Sequence, residues 1–173
     1  YGENTYHFMQ DWSLITGLQA KIGSRDYTDR VNNANNDDEV FKGINPKIGV
    51  MYKIDPQSEV FANISKSSET PTFSELVHGA FPGFVPVDQQ KAWTAEIGSR
   101  GTRGSFSWDV TAYHSQLRDE LLNFTVGADI PASTFNAKKS IHQGLEAGLG
   151  WQMNEEISFQ GIYNLNDFRF DGD

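Results

Sequence analysis

Apolar and polar side chains alternate along much of this sequence. In residues 46–54 the apolar side chains occupy every second position: Ile48, Val50, Tyr52 and Ile54. This period of two predicts a β-strand with one apolar face. The next residues, Asp55-Pro56-Gln57-Ser58, have the composition of a tight turn, and the alternation resumes in residues 60–64. The segment therefore predicts a β-hairpin.

The same plan recurs along the chain. Residues 93–100 and 106–114 alternate on either side of Gly101-Thr102-Arg103-Gly104, and residues 145–153 and 157–165 alternate around Asn154-Glu155. Residues 14–23 also alternate, and a strand before them is predicted to end near Asp11-Trp12-Ser13. No helical period is sustained. The pattern predicts an all-β chain of about eight antiparallel strands connected as a meander.

The connections between these strands differ in length at the two ends. The tight turns lie at one end, whereas residues 26–43, 67–90 and, more briefly, 127–133 form loops at the other end. Outer-membrane β-barrels have this asymmetry, with their long loops outside the cell. The sequence thus indicates a segment of an antiparallel transmembrane β-barrel.

A soluble antiparallel sandwich also alternates, and the placement of the large aromatic residues argues against it. One group lies two or three residues from a tight turn, and Trp93 and Tyr163 lie further along their strands; the first group is Tyr52, Phe106, Trp108, Trp151 and Phe159. At ~3.3 Å per residue and ~40° of tilt, two such rows fall near the edges of an apolar band ~25 Å tall. Residues 105–126 and 133–153 also exceed the average strand of ~5–6 residues.

Composition is compatible with this interpretation. The chain is 38% hydrophobic and 21% charged, and it has no apolar run of membrane-helix length. A barrel strand is apolar only at alternate positions, so its mean hydropathy is low. The net charge of −9 argues against a nucleic-acid partner, and the absence of cysteine excludes disulfides and thiolate metal sites.

The chain ends suggest a fragment. Both ends are predicted to lie on the long-loop side, residues 1–5 do not resemble a signal peptide, and residues 167–173 do not end on an aromatic side chain. Complete barrels usually keep both ends in the periplasm. Because an open sheet edge is not viable in a bilayer, neighbouring strands are expected outside this sequence. The alternative is a small closed eight-stranded barrel with a structural or adhesive role.

Several ordered blocks resemble the barrel domain of TonB-dependent receptors. The first is Asn45-Pro46-Lys47 with Gly49 and Tyr52, and it leads through a turn into Ser65 and then Glu69-Thr70-Pro71-Thr72 with Glu75-Leu76. The later blocks are Thr94–Gly101, Asp109–His114, Leu117–Leu122, Asn136-Ala137 and Gln143–Gly148. The series keeps the family's order and spacing from about Gly17 to Leu165.

The resemblance implies a barrel of about 22 strands closed by an N-terminal plug. Residues 1–173 would be a partial barrel domain that lacks the plug and the remaining strands. The expected location is the outer membrane of a Gram-negative bacterium, with outer-membrane lipid around the barrel and TonB recruited through the missing plug region. The expected function is import of a scarce nutrient, most often a ferric siderophore, whereas other members take non-iron cofactors or other nutrients. No cofactor of the protein itself is expected.

Catalysis is not predicted. Ser107 and Asp109 share one face of a predicted strand and His114 lies on the other, so they cannot converge as a triad. The four histidines have no metal-ligand spacing. The chain is therefore not expected to be an enzyme or to hold a metal.

Ligand contacts are expected from arginine and aromatic side chains near the long loops, since these are the usual anchors of binding surfaces. The candidates are Arg25, Tyr27, Arg30, His78, Phe81, Phe84 and Arg118. The aromatic residues of the second loop could instead form a small loop core or contact lipopolysaccharide. Arg118 could instead pair with Asp119 or Glu120. The acidic tract from Asn32 to Glu39 is expected to be a solvated loop tip rather than a cation site.

Overall fold

A computed structural model of the protein describes residues 1–77, 83–125 and 133–171. Eight strands form one antiparallel sheet in which each strand pairs with the next along the chain. They are β1 (Gly2–His7), β2 (Trp12–Tyr27), β3 (Asp37–Asp55), β4 (Ser58–Glu69), β5 (Gln90–Arg103), β6 (Phe106–Phe124), β7 (Ser133–Gln152) and β8 (Ser158–Phe170). A 3-10 turn, Asn33–Asn35, and a short helix, α1 (Phe73–Leu76), lie between strands. The all-β meander is therefore confirmed.

The predicted asymmetry of the connections is also confirmed. At one end the strands are connected by residues 8–11, 56–57, 104–105 and 153–157, and at the other by residues 28–36 and 70–89. The third predicted loop, residues 127–133, lies outside the described residues except for Ser133, which begins β7. The first long loop is shorter than predicted, because β2 and β3 continue pairing as far as Tyr27 and Asp37. Polar strand ends keep the same ladder as apolar ones, since hydrogen bonds between backbones do not depend on side-chain polarity.

The first strand ends earlier than predicted. Trp12 and Ser13 begin β2, where Ser13 pairs with His7 across the turn. The His7 Nδ1 atom lies 2.7 Å from the Ser13 hydroxyl, and the Trp12 N–H donates to the Met9 carbonyl at 3.3 Å. These contacts close the turn before Trp12, so this residue belongs to the returning strand.

One face of the sheet is apolar along β2 to β8. Directly paired residues of antiparallel strands share a face. The pairing aligns most of the large exposed apolar side chains on one side, among them Trp12, Leu18, Ile22, Ile48, Val50, Ile64, Trp93, Ile97, Phe106, Leu149, Trp151, Phe159, Tyr163 and Leu165. We call this side the apolar face. A contiguous exposed apolar surface of this size requires a nonaqueous environment.

Aromatic residues mark the two edges of the apolar face. At the tight-turn end the Trp151 ring stacks between Phe106 and Phe159, with centroids 5.8 and 5.7 Å away. At the other end Trp93 is 48% exposed and lies ten positions from Arg103, the pairing partner of Phe106. At ~3.3 Å per residue and ~40° of tilt this distance is about 25 Å. Tyr163 was predicted near an edge but pairs with Ala147, between the two levels.

The opposite side, which we call the polar face, carries hydrogen-bonded side chains. The Asn63 amide donates to the Glu96 carboxylate at 2.8 Å, and the Thr94 and Ser115 hydroxyl oxygens are 2.8 Å apart. The Tyr113 hydroxyl donates to the Asn166 amide oxygen at 2.9 Å. Such a surface suits a hydrated barrel lumen.

A fork between β3 and β4 shapes the long-loop end. The pairing of β3 with β4 ends at Lys47, beside Pro46, which has no N–H to donate to a ladder. Beyond this point β3 remains paired with β2 alone. The Gln89 side chain donates to the Lys42 carbonyl at 2.7 Å, so the second long connection occupies part of the fork.

No helix in the described ranges is long and apolar enough to cross a membrane.

Candidate ligand-binding site

The second long connection is anchored on the polar face by α1. The Glu75 carboxylate accepts hydrogen bonds from the Thr72 N–H at 2.7 Å and the Thr72 hydroxyl at 2.8 Å, which is the local arrangement of a capping box. Leu76 is completely buried and packs in a small core with Phe41 and Val87. The Glu-Thr-Pro-Thr block thus starts a helical turn that inserts one leucine against β3.

Three aromatic rings meet beside this anchor. Tyr27 of β2 lies 6.3 Å from Phe73 of α1 and 6.2 Å from Phe84, and Phe73 and Phe84 are 6.3 Å apart in an edge-to-face arrangement. These centroid distances are those of favourable ring pairs. Phe73 is 48% exposed, so the aromatic cluster presents a ring to solvent at the long-loop end.

Arg25 lies next to the aromatic cluster. Its Nε donates to the Pro71 carbonyl at 3.1 Å, and one terminal nitrogen donates to the Ser24 carbonyl at 3.0 Å. Within the described residues these bonds reach carbonyls and not carboxylates, so the guanidinium charge is not neutralised by them. Arg25 and the aromatic cluster Tyr27, Phe73 and Phe84 together form what we call the loop-end site.

The structure brings together three of the seven predicted contact residues: Arg25, Tyr27 and Phe84. Arg30 is exposed in residues 28–36, outside the aromatic cluster. Arg118 is exposed on the apolar side of the sheet, where Lys91 and Lys139 are its register partners on the neighbouring strands. It therefore does not face the loop-end site. His78 and Phe81 lie outside the described residues. Phe73 was not predicted, because its helix follows a loop whose course the sequence pattern does not indicate.

The first long connection is organised by Asp29. Its carboxylate accepts from the N–H groups of Val31 and Asn32, at 2.8 and 3.0 Å, and from the Asn35 side-chain amide at 2.7 Å. The predicted loop tip, residues 32–39, is not one continuous loop. Residues 33–35 form the 3-10 turn and residues 37–39 begin β3. The exposure of residues 36–39 agrees with a solvated tract.

We expect this loop to loosen in acid. Hydrogen bonds from the Asn32 backbone, the Asn35 side chain and the Val31 backbone lower the Asp29 pKa. A lowered pKa stabilises the folded loop above the ordinary value of about 3.9, and the stabilisation is lost as pH falls through the lowered pKa. NMR titration of the Asp29 carboxyl in the intact receptor should give this lowered pKa. Asn35→Ala should raise it toward the ordinary value, whereas Asn33→Ala should leave it unchanged; equal titrations in all three proteins would contradict the assignment.

A half-buried polar cluster on the polar face was missed by sequence reasoning. The Glu120 carboxylate accepts from the Ser140 hydroxyl and lies 3.3 Å from His142 Nε2, while the His142 ring stacks on Phe168 at 4.3 Å. Simple alternation puts Glu120 on the apolar side with Arg118. The backbone at Asp119 has a φ of 57°, and this irregularity redirects the next side chain. Glu120 is therefore paired with His142 rather than with Arg118.

The predicted lack of a catalytic triad agrees with the strand geometry. His114 pairs with Ala95 and Gln143 on the apolar side, whereas Ser107 and Asp109 pair with Gly150 and Gly148 on the polar side. No group of three or more histidine, aspartate or glutamate side chains in the described part of the chain could hold a metal ion.

An open meander with one lipid-compatible face, one hydrated face and aromatic edges defines a wall segment of a transmembrane β-barrel. The family model described as "TonB dependent receptor-like, beta-barrel" matches residues 1–173. The chain belongs to the TonB-dependent receptor family. This family consists of transporters of the Gram-negative outer membrane, which confirms the predicted location and the prediction that the chain is not an enzyme.

Solved structures agree with this assignment. The chain superposes on the copper transporter OprC with a TM-score of 0.82 at 15% identity, covering 97% of this chain and 27% of OprC. For the ferric yersiniabactin uptake receptor FyuA from Yersinia pestis the TM-score is 0.72 at 16% identity, with 98% and 26% covered. For the siderophore receptor PirA from Pseudomonas aeruginosa the TM-score is 0.68 at 17% identity, and the match covers 95% of this chain and 30% of PirA. The chain thus spans under a third of these proteins, and no curated protein matches its sequence.

Proposed function

We propose that this chain forms part of the wall and of the outer ligand-binding surface of a receptor that imports a ferric siderophore with energy delivered through TonB. The observation that carries the proposal is the loop-end site, in which the second long connection folds onto the polar face and brings Phe73 and Phe84 to Tyr27, while its Pro71 carbonyl accepts from Arg25. Long loops of outer-membrane barrels lie outside the cell, so the site is at the mouth where a nutrient enters.

The chemistry of the loop-end site suits a large, polar and partly aromatic ligand. An exposed ring supplies stacking area, and a guanidinium held by backbone carbonyls supplies a fixed positive charge and hydrogen-bond donors. Recognition groups on loops that a rigid scaffold positions are a common arrangement for binding. FyuA and PirA, which share the fold, are receptors for siderophores.

The rival proposal is a receptor of the same family for a nutrient without iron. OprC, which has the same fold, is a copper transporter, so a likeness in fold supports more than one substrate. The loop-end site favours the siderophore, because aromatic rings and a guanidinium recognise an organic chelate better than a bare cation.

Ligand binding by the intact receptor tests the proposal. Purified receptor in detergent is titrated with a panel of iron-loaded catecholate, hydroxamate and mixed siderophores and with Cu²⁺ alone. We expect one siderophore class to bind, and Phe73→Ala and Arg25→Gln each to raise its Kd at least about tenfold, or ~1.4 kcal/mol. Phe135→Ala is the matched control, since Phe135 is a 46% exposed ring at the same end that packs on Phe124.

Two results would contradict the proposal. Binding of Cu²⁺ with no binding of any siderophore would favour the rival nutrient. If Phe135→Ala weakened siderophore binding as much as Phe73→Ala does, the siderophore would still be the ligand. The loop-end site would then have no specific part in its recognition.

A further inference from the structure

Positive charges gather on the apolar side of the sheet, at the Trp93 level and just beyond it. Lys66 pairs with Trp93, and Lys91, Arg118 and Lys139 lie directly opposite one another on β5, β6 and β7. Arg169 of β8 pairs with Ile141, two positions from Lys139. We call these residues the basic patch: Lys66, Lys91, Arg118, Lys139 and Arg169. It contains five of the 14 lysines and arginines of a chain whose net charge is −9.

The charges of the basic patch are poorly balanced by the protein. Like charges directly opposite on neighbouring strands destabilise a sheet, and Lys91, Arg118 and Lys139 form such a row. Asp171 forms an ion pair with Lys139. The nearby Glu120 carboxylate is turned to Ser140 and His142, and the Asp167 carboxylate accepts from Gln143 at 3.0 Å. Lys91 and Arg118 therefore keep net positive charge between them.

The position of the basic patch points to its ligand. It lies on the membrane-facing side at the long-loop end: Lys66 and Arg169 are at the Trp93 level, and the Lys91, Arg118 and Lys139 row is two residues beyond it. Tryptophan at this level marks the boundary between hydrocarbon and headgroups. A nutrient in the lumen is on the other side of the sheet and cannot reach these side chains. The groups that surround the basic patch are instead the headgroups of the outer leaflet.

We propose that the basic patch binds the phosphate groups of a lipid headgroup in the outer leaflet, with Lys91 and Arg118 as its principal contacts. Arginine and lysine bind phosphate oxygens through charge-assisted hydrogen bonds. A phosphate between Lys91 and Arg118 removes their mutual repulsion. The acyl chains of the same lipid then lie on Trp93 and Ile97, which are 48% and 64% exposed. A free phosphate satisfies the charges but leaves this apolar surface uncovered.

Lipid retention by the intact receptor tests the site. Receptor purified in a nonionic detergent is incubated with fully phosphorylated lipid A, with dephosphorylated lipid A, or with inorganic phosphate, and bound molecules are counted by native mass spectrometry. The test variant is Lys91→Gln/Arg118→Gln. The matched control is Lys53→Gln/Arg103→Gln, which removes the same charge at the tight-turn end of the sheet.

We expect the wild-type receptor and the control variant to retain phosphorylated lipid A at least tenfold better than the dephosphorylated form. The test variant should lose this preference. Equal retention by the test variant and the control, or retention independent of the lipid phosphates, would overturn the proposal. Inorganic phosphate that binds as well as phosphorylated lipid A would show a simple anion site and would also overturn it. A separate fold measurement, the heat-induced gel shift of the barrel, should be unchanged in both variants.

Discussion

Replacement of Ile97 by arginine should lower the free energy of unfolding of the intact receptor by about 2–4 kcal/mol, the cost of a cation near the bilayer midplane. Ile97 is 64% exposed on the apolar face and lies between the Trp93 and Phe106 levels. In the membrane this exposed side chain contacts lipid, where a guanidinium loses its hydration. Denaturant titration of the receptor folded in lipid vesicles measures the change.

Thr111→Arg is the matched control for Ile97→Arg. Thr111 lies on the polar face next to Ala112, the pairing partner of Ile97, and directly opposite Glu146. An arginine there meets water and a carboxylate, so its effect should stay within about 0.5 kcal/mol. If the two substitutions destabilised the receptor equally, the assignment of the lipid-facing and lumenal sides would fail.

Shortening Leu76 to alanine should release the second long connection from the polar face. Leu76 is completely buried against Phe41 and Val87, and leucine-to-alanine changes in such sites cost about 2–5 kcal/mol. The Leu76 carbonyl accepts from the Val85 N–H at 2.7 Å, so this amide reports whether the loop is docked. Its protection from hydrogen exchange should fall at least about thirtyfold, the equivalent of ~2 kcal/mol.

Leu76→Met separates loop docking from a general loss of stability. Methionine nearly conserves the volume of leucine and should cost under about 1.5 kcal/mol, so the Val85 amide should stay protected. Amides in the β6–β7 ladder should be unaffected by either change. Loss of protection throughout the sheet in Leu76→Ala would show that the loop core supports the whole barrel wall rather than the loop-end site alone.

The loop-end site shows how far local sequence patterns predict a binding surface. The residue types of Arg25, Tyr27 and Phe84 predict ligand contact, and the structure brings these three residues together. Phe73 joins them because α1 is anchored by Leu76 on Phe41, a contact between residues far apart in the sequence. A loop's docking depends on such long-range packing, which residue type and periodicity do not report.

Arg118 and Glu120 show the same limit of prediction from local sequence patterns. Alternation treats them as neighbours on one side of β6, yet the backbone at Asp119 directs Glu120 to His142 on the polar face and leaves Arg118 beside Lys91 and Lys139. A single residue with a positive φ redirects the side chain that follows it, although the pairing register of β6 with β7 is the same on both sides. Nothing in the local composition distinguishes this irregularity from regular strand.

The sequence by itself determined the strands, the turns and the identity of the apolar face. These follow from local chemistry, since a period of two, turn residues at intervals and aromatic residues near the turns all act over a few neighbouring positions. Only the tertiary structure decided which loop folds inward, which cations share a row and which carboxylate meets His142. These features depend on strand register and on contacts between distant segments, and register is set by the pairing of whole strands rather than by any one of them.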